Sequence, residues 1–218
     1  MGEKQLYEFN KIVEMEKKLT QECIKYWNQY SSYNNWHFWL LVILSILPLI
    51  VLFFFIDRRR MFHLGFFGFS IHILHSYVDV AAVNLGMWTY PYKLISIYPI
   101  SFAFDASFIP VTFMLVYQWT LNHKKNFYLY AIIPAMFFAF VAKPLLIASG
   151  ITKPGPGSGG LKAYIILFIT HLFICYVSKW ITDFFRKLQV KGDFINSKQK
   201  LDSAPSKSFN WFTTLKKS

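Results

Sequence analysis

Charge and cysteine are both scarce in this chain. Of its 218 residues 16% are charged, Asp and Glu together number 11, and two residues are cysteine. Soluble domains carry closer to ~25% charged residues, so the low figure argues against an ordinary water-soluble globule. Cys23 stands in a polar N-terminal stretch and Cys175 inside an apolar one, depths too different for a disulfide or a cysteine metal centre. Residues 1–33 are polar and lack an apolar run followed by small residues, which excludes a cleavable signal peptide and leaves the first apolar segment to direct insertion. No stretch matches a diagnostic catalytic motif, no cofactor is implied, and no internal repeat supports an inverted-repeat transporter.

Apolar and aromatic residues are what the chain has in excess. It contains 24 Phe, 13 Tyr and 7 Trp, and its mean hydropathy is +0.33. The apolar residues fall in five blocks, 38–56, 61–83, 94–119, 127–149 and 161–181, each near or above the ~20 residues that cross a hydrocarbon core. The fold predicted is all-α: a five-span transmembrane bundle over 36–183. The third block carries Pro99 and Pro110 and is expected to tilt or kink. Residues 1–35 precede the bundle, with Leu6, Phe9, Ile12, Val13, Leu19, Cys23, Tyr26, Trp27 and Tyr30 recurring at helical spacing among Lys and Glu. That pattern predicts an amphipathic helix on the membrane surface or on a partner. Residues 150–160, with five glycines and two prolines, predict an irregular flexible loop. Residues 184–218 read as a basic, mostly disordered tail in which Phe209, Trp211 and Phe212 could touch the bilayer.

Charge placement sets the expected orientation. Asp57 to Arg60 follow the first block and Lys124 and Lys125 the third, whereas the other two loops hold Lys93, Lys153 and Lys162. From residue 181 onward, eight Lys or Arg face three Asp. The positive-inside rule then puts the C-terminus in the cytoplasm and the N-terminus outside a cell membrane. A basic cluster next to a span suits anionic lipid and argues against nucleic acid as the partner of a chain with formal charge +12. Association with further copies or another subunit stays open.

Ionisable residues inside the apolar blocks are the candidate site. A charge at membrane depth costs ~2.5–3.5 kcal/mol on insertion scales, which makes each one a functional candidate. His72, His75 and Asp79 recur at helical spacing and form one polar stripe on the second block; Asp105, Lys143 and His171 lie on the third, fourth and fifth. At ~1.5 Å rise per residue these groups fall between mid-membrane and the outer surface, a depth agreement that points to one outward-opening pocket. Carboxylate and imidazole in low dielectric suit proton transfer, ion binding or acid–base chemistry. Two bland readings stand beside that one. Asp105 could pair with Lys143 while the histidines bond neighbouring helices, and three ligands on one face could also be a chance pattern and no metal site. Trp88, Tyr90 and Tyr92 are expected to anchor at the interface, and Gly65 and Gly68 to let helices approach closely.

The residues Asp79, Gly86, Trp88, Tyr90, Pro91, Asp105, Pro110, Val111, Tyr117 and Gln118 resemble, in order and spacing, a family of small, uncharacterised five-span membrane proteins of endospore-forming bacteria. The resemblance covers residues 36–148 and includes the charged turn at Asp57–Arg59. It implies a bacterial cytoplasmic-membrane protein and brings no established biochemistry. Lys143 departs from the family, which carries glutamate before the proline that is Pro144 here. A more distant similarity, through the aspartate ahead of a glycine, tryptophan and aromatic residue, is to the membrane lycopene cyclases. It implies polyene protonation by a proline-flanked acidic pair, where this chain has only Asp105. Three functions therefore stay open: binding or transport of a small ion or solute, a membrane enzyme acting on a lipid or isoprenoid with Asp105 as acid and His72 or His75 as base, and a non-catalytic assembly protein.

Overall fold

The computed structural model of the protein describes residues 2–202 and is 79% helical. In chain order the helices are α1 (Glu3–Tyr26), α2 (Trp36–Phe55), α3 (Met61–Asn84), α4 (Ile109–Asn122), α5 (Phe127–Tyr130), α6 (Ile132–Met136), α7 (Lys143–Ala148) and α8 (Leu161–Asp202). Two two-residue strands, β1 (Trp88–Thr89) and β2 (Lys153–Pro154), pair antiparallel. Four helical stretches are long and apolar enough to cross a membrane: Trp36–Phe55, Arg58–Asn84, Phe127–Ala148 and Leu161–Gly192. Their exposed Ile, Leu and Phe side chains face outward from the bundle, as a lipid-facing surface requires.

Each boundary has a local cause. Asn35 caps α2 by accepting from the His37 amide, and Asp57 accepts from the Arg59 amide to open the turn that leads into α3. Gln118 closes the same corner, donating from Nε2 to the Phe55 carbonyl at 2.8 Å and accepting from the Asp57 amide at 2.7 Å. The Phe55 carbonyl at the end of α2 thereby has a donor.

The helix at residues 102–122 lies at the centre and packs against α2, α3 and α5. Ile109, Phe113, Met114 and Tyr117 are buried on it in one cluster with Leu41, Leu64, Phe67, Ile71, Phe138 and Ile174. At Gly68 a Cβ would run into the Met114 side chain, so glycine there lets α3 close on α4; around Gly65 the space is open. The expected close approach thus rests on Gly68 alone.

Three expectations are corrected. The third apolar block does not begin a helix at residue 94, because residues 91–101 run irregularly across the bundle end and helix starts at Phe102. The glycine-rich segment is not without regular structure. Lys153 and Pro154 pair with Trp88 and Thr89, the Gly155 amide donates to the Met87 carbonyl at 2.8 Å, and a Cβ on Gly155 would strike the Gly86 carbonyl oxygen. Nor does the chain lose structure at residue 184, since α8 continues as helix to Asp202. Phe209, Trp211 and Phe212 lie outside the described residues. The chain divides into two compact units, Met1–Trp180 and Ile181–Ser218, and the candidate site lies wholly in the first. Cys23 and Cys175 are free thiols.

Candidate functional site

Two π-helical turns shape the site, and a proline explains each. A proline has no N–H to continue the i to i−4 ladder, so the residue before it shifts register. Ahead of Pro110 the Ile109 amide donates to the Phe104 carbonyl, giving a π turn over Phe104–Phe108 that contains Asp105. Ahead of Pro144 the Lys143 amide donates to the Phe138 carbonyl, giving a π turn over Phe137–Ala142. The register shift exposes the Asp105 main-chain carbonyl, and His72 Nδ1 donates to it at 2.9 Å.

A cavity of about 60 Å³ opens between these turns, α3, α8 and the β1–β2 cover. His75, Asp79, Asp105, Lys143 and His171 all line it, together with Trp88, Tyr90, Phe104, Phe138 and Thr152. Five of the six residues expected from the sequence therefore meet. His72 does not line the cavity, its Nδ1 being committed to the backbone of the Asp105 turn. At ~10–15 Å³ for each water-sized occupant, the space suits a small ion or a few waters.

The two carboxyl groups touch each other in unlike surroundings. Asp79 Oδ1 accepts from the Trp88 indole N–H at 2.7 Å and from the Tyr90 hydroxyl at 2.8 Å, and Oδ2 accepts from the Ser101 amide at 3.2 Å. Hydrogen bonds to an ionised acceptor contribute ~1.5–3 kcal/mol each, so these donors form a cradle for a carboxylate. Burial, followed by the Asp79 and then the Asp105 charge, holds the Tyr90 phenol well above its ordinary range, which keeps it a donor. Asp105 lies within hydrogen-bonding range of the Asp79 carboxyl, and its Oδ2 has no donor.

Trp88 and Tyr90 thus differ from their expected role as interface anchors: their polar atoms point inward at Asp79. Tyr92 stacks on His37 at 3.7 Å and 6°. The expected Asp105–Lys143 pair is also corrected. Among the described residues no ion pair within 4.0 Å includes Lys143, whose Nζ lies 4.5 Å from the Trp88 ring centroid and 5.8 Å from that of Tyr90. The aromatic face takes the ammonium that the carboxyl group was expected to hold.

Histidine orientation completes the site. His171 Nδ1 lies 2.7 Å from the Leu167 carbonyl, which can only accept, so Nδ1 carries the proton and Nε2 presents a lone pair in the neutral ring. The ring stacks on Phe138 at 5.7 Å and 11°, and lies 4.8 Å from the His75 ring. Buried atoms without a hydrogen-bond partner gather here: His75 Nε2, Asp105 Oδ2, Thr152 Oγ1 and His171 Nε2, on residues between 1% and 6% exposed. Among the described residues no group of three or more His, Cys, Asp or Glu is gathered to hold a metal ion.

Thr152, Trp88 and Tyr90 are the site members that sequence reasoning placed elsewhere. The two aromatic residues had a signal in their position a few residues beyond Asp79, close enough for a turn to fold back on it. Thr152 sits in the glycine-rich segment and had none. No family model, curated protein or solved structure matches the chain, so its chemistry is read from these residues themselves.

Proposed function

We propose that this is a five-span protein of a bacterial cell membrane that binds a small ion or solute in the pocket around Asp105. The helix at 102–122 joins the four long apolar helices to make five spans and is third in chain order. Its Asp105, Tyr117 and Gln118 make it less apolar than the other four, which a span surrounded by its neighbours can accommodate because it meets little lipid. The N-terminus is outside, so the β1–β2 cover faces the exterior. The α1 helix, on which no residue is buried, lies on the outer surface with Leu6, Phe9 and Leu19 toward lipid. The basic C-terminal region meets anionic lipid on the cytoplasmic side.

One observation carries the binding reading: four unpartnered, buried polar atoms from α3, the central helix, α8 and the loop before β2 face one cavity. A buried polar atom without a partner costs ~1–3 kcal/mol, so a site that gathers four of them is built to receive something that bonds to them. The enzyme reading has less behind it, since the cavity is small for a lipid or polyene and His72 is engaged with the backbone.

A thermal-shift screen of small ions and solutes on purified protein tests this. Some ligand should raise the melting temperature of the wild type by several degrees and leave Asp105→Asn unmoved, because binding to the native state alone adds RT ln(1 + [L]/Kd). Identical responses of both proteins to every compound would remove the reading.

A further inference from the structure

We infer that the occupant is a monovalent cation that donates hydrogen bonds, of the ammonium or methylammonium class, taken up in exchange for a proton. The inference rests on the pocket-binding reading above and goes on to name its substrate.

Acceptors dominate the open valences. His171 Nε2 is a lone pair, because Nδ1 is spent on the Leu167 carbonyl and the ring is held flat against Phe138. Asp105 Oδ2 is an acceptor without a donor, and Thr152 Oγ1 can accept as well. A ligand that satisfies them must bring N–H or O–H bonds, as an ammonium ion does in several directions at once. A bare metal ion would instead need a ring of ligands, and no three suitable side chains are gathered among the described residues. The walls agree with this choice. Trp88, Tyr90, Phe104 and Phe138 offer aromatic surface, and the Trp88 face already holds one primary ammonium, that of Lys143.

Charge balance supplies the exchange. The groups facing Asp105 are Asp79 and His75 from α3, Tyr90 from the cover, Lys143 from α7 and His171 from α8. The cradled Asp79 carboxylate is offset by the Lys143 ammonium. Two carboxylates in contact repel unless a proton lies between them, so the empty pocket keeps that proton on Asp105, donating to Asp79. When it leaves, the pocket gains one negative charge and one acceptor, which a monovalent donor cation neutralises. One cation enters for each proton released.

Calorimetric titration of the full-length protein with ammonium, methylammonium, sodium and potassium chlorides, each in two buffers of different ionisation enthalpy, tests both parts. Ammonium and methylammonium should bind with close to one proton released, and sodium and potassium about tenfold or more weaker. Asp105→Asn should abolish the proton release. His171→Phe, which keeps the stack on Phe138 and removes the lone pair, should weaken ammonium binding about tenfold. Sodium or potassium binding as tightly as ammonium, or ammonium binding without proton release, would overturn the inference and leave the small-ion pocket standing. If no salt binds, and the thermal screen also finds no compound that separates wild type from Asp105→Asn, the inference and the pocket reading fall together.

Discussion

Around Tyr117, His63 Nε2 lies 2.9 Å from the phenol oxygen, Thr120 Oγ1 donates to the Tyr117 carbonyl at 2.8 Å, and Gln118 bridges the end of α2 to the turn after it. Around Asp105 the same kinds of group are present, yet His75, Thr152, His171 and Asp105 itself each keep an atom without a partner. Between the two regions lie Phe67, Ile71, Phe113 and Ile174, all nearly inaccessible. Polar side chains in the Tyr117 region act as joints between helices. Those at Asp105 are held in place by other contacts and keep their bonding capacity for something else. Stability should respond wherever a polar group is already bonded, around Tyr117 and at the Asp79 cradle, and binding to changes at the unpartnered atoms.

The largest effect on folding is expected at the layer that separates them. Phe113→Ala should lower unfolding free energy by about 3–5 kcal/mol in detergent-solubilised protein, since the cavity it leaves is lined on all sides. Asp79→Asn comes next, at about 2–3 kcal/mol, because it weakens charge-assisted bonds from Trp88 and Tyr90; Trp fluorescence should report a loosened cover. Gln118→Ala should cost about 1–2 kcal/mol and leave ligand response intact, an outcome that would fail if the two regions were coupled.

Tyr90→Phe should cost about 1 kcal/mol near neutral pH. It should also change the alkaline limb of stability. A phenol raised in the folded state contributes fully below its unfolded value of ~10 and loses that contribution as pH climbs into its raised range, so the variant should lack this part of the alkaline decline. Asp105→Asn should be smallest, within about 1 kcal/mol, while abolishing the ligand-dependent rise in melting temperature. A large loss of folded protein in that variant would assign Asp105 to the joints.

Membership of the site was largely legible: His75, Asp79, Asp105, Lys143 and His171 are ionisable groups inside apolar blocks, and the structure brings all five to one cavity. Their bonding was not legible. Charge alone pairs Lys143 with Asp105; the structure instead sets the ammonium over the Trp88 ring, 4.5 Å from its centroid, with no ion pair of Lys143 within 4.0 Å among the described residues. His72 shares the helical stripe of His75 and Asp79, but the π turn ahead of Pro110 presents a carbonyl that captures it. The start of the third apolar block was misplaced for a related reason: residues 94–101 are apolar enough for a span, yet they serve to close the bundle end and deliver the Ser101 amide to Asp79.

Apolar blocks about the width of a bilayer, broken by basic turns and prolines, are enough on their own to determine that this chain forms long helices and where its expensive residues lie along them. Solvation in lipid depends on local composition, so sequence carries it directly. Which carboxyl group is cradled, which nitrogen of His171 is bare, and what Lys143 leans on were decided only when α3, the two π turns, α8 and the paired strands met. Hydrogen bonds reach no more than ~3 Å, and the partners here stand up to tens of residues apart in sequence.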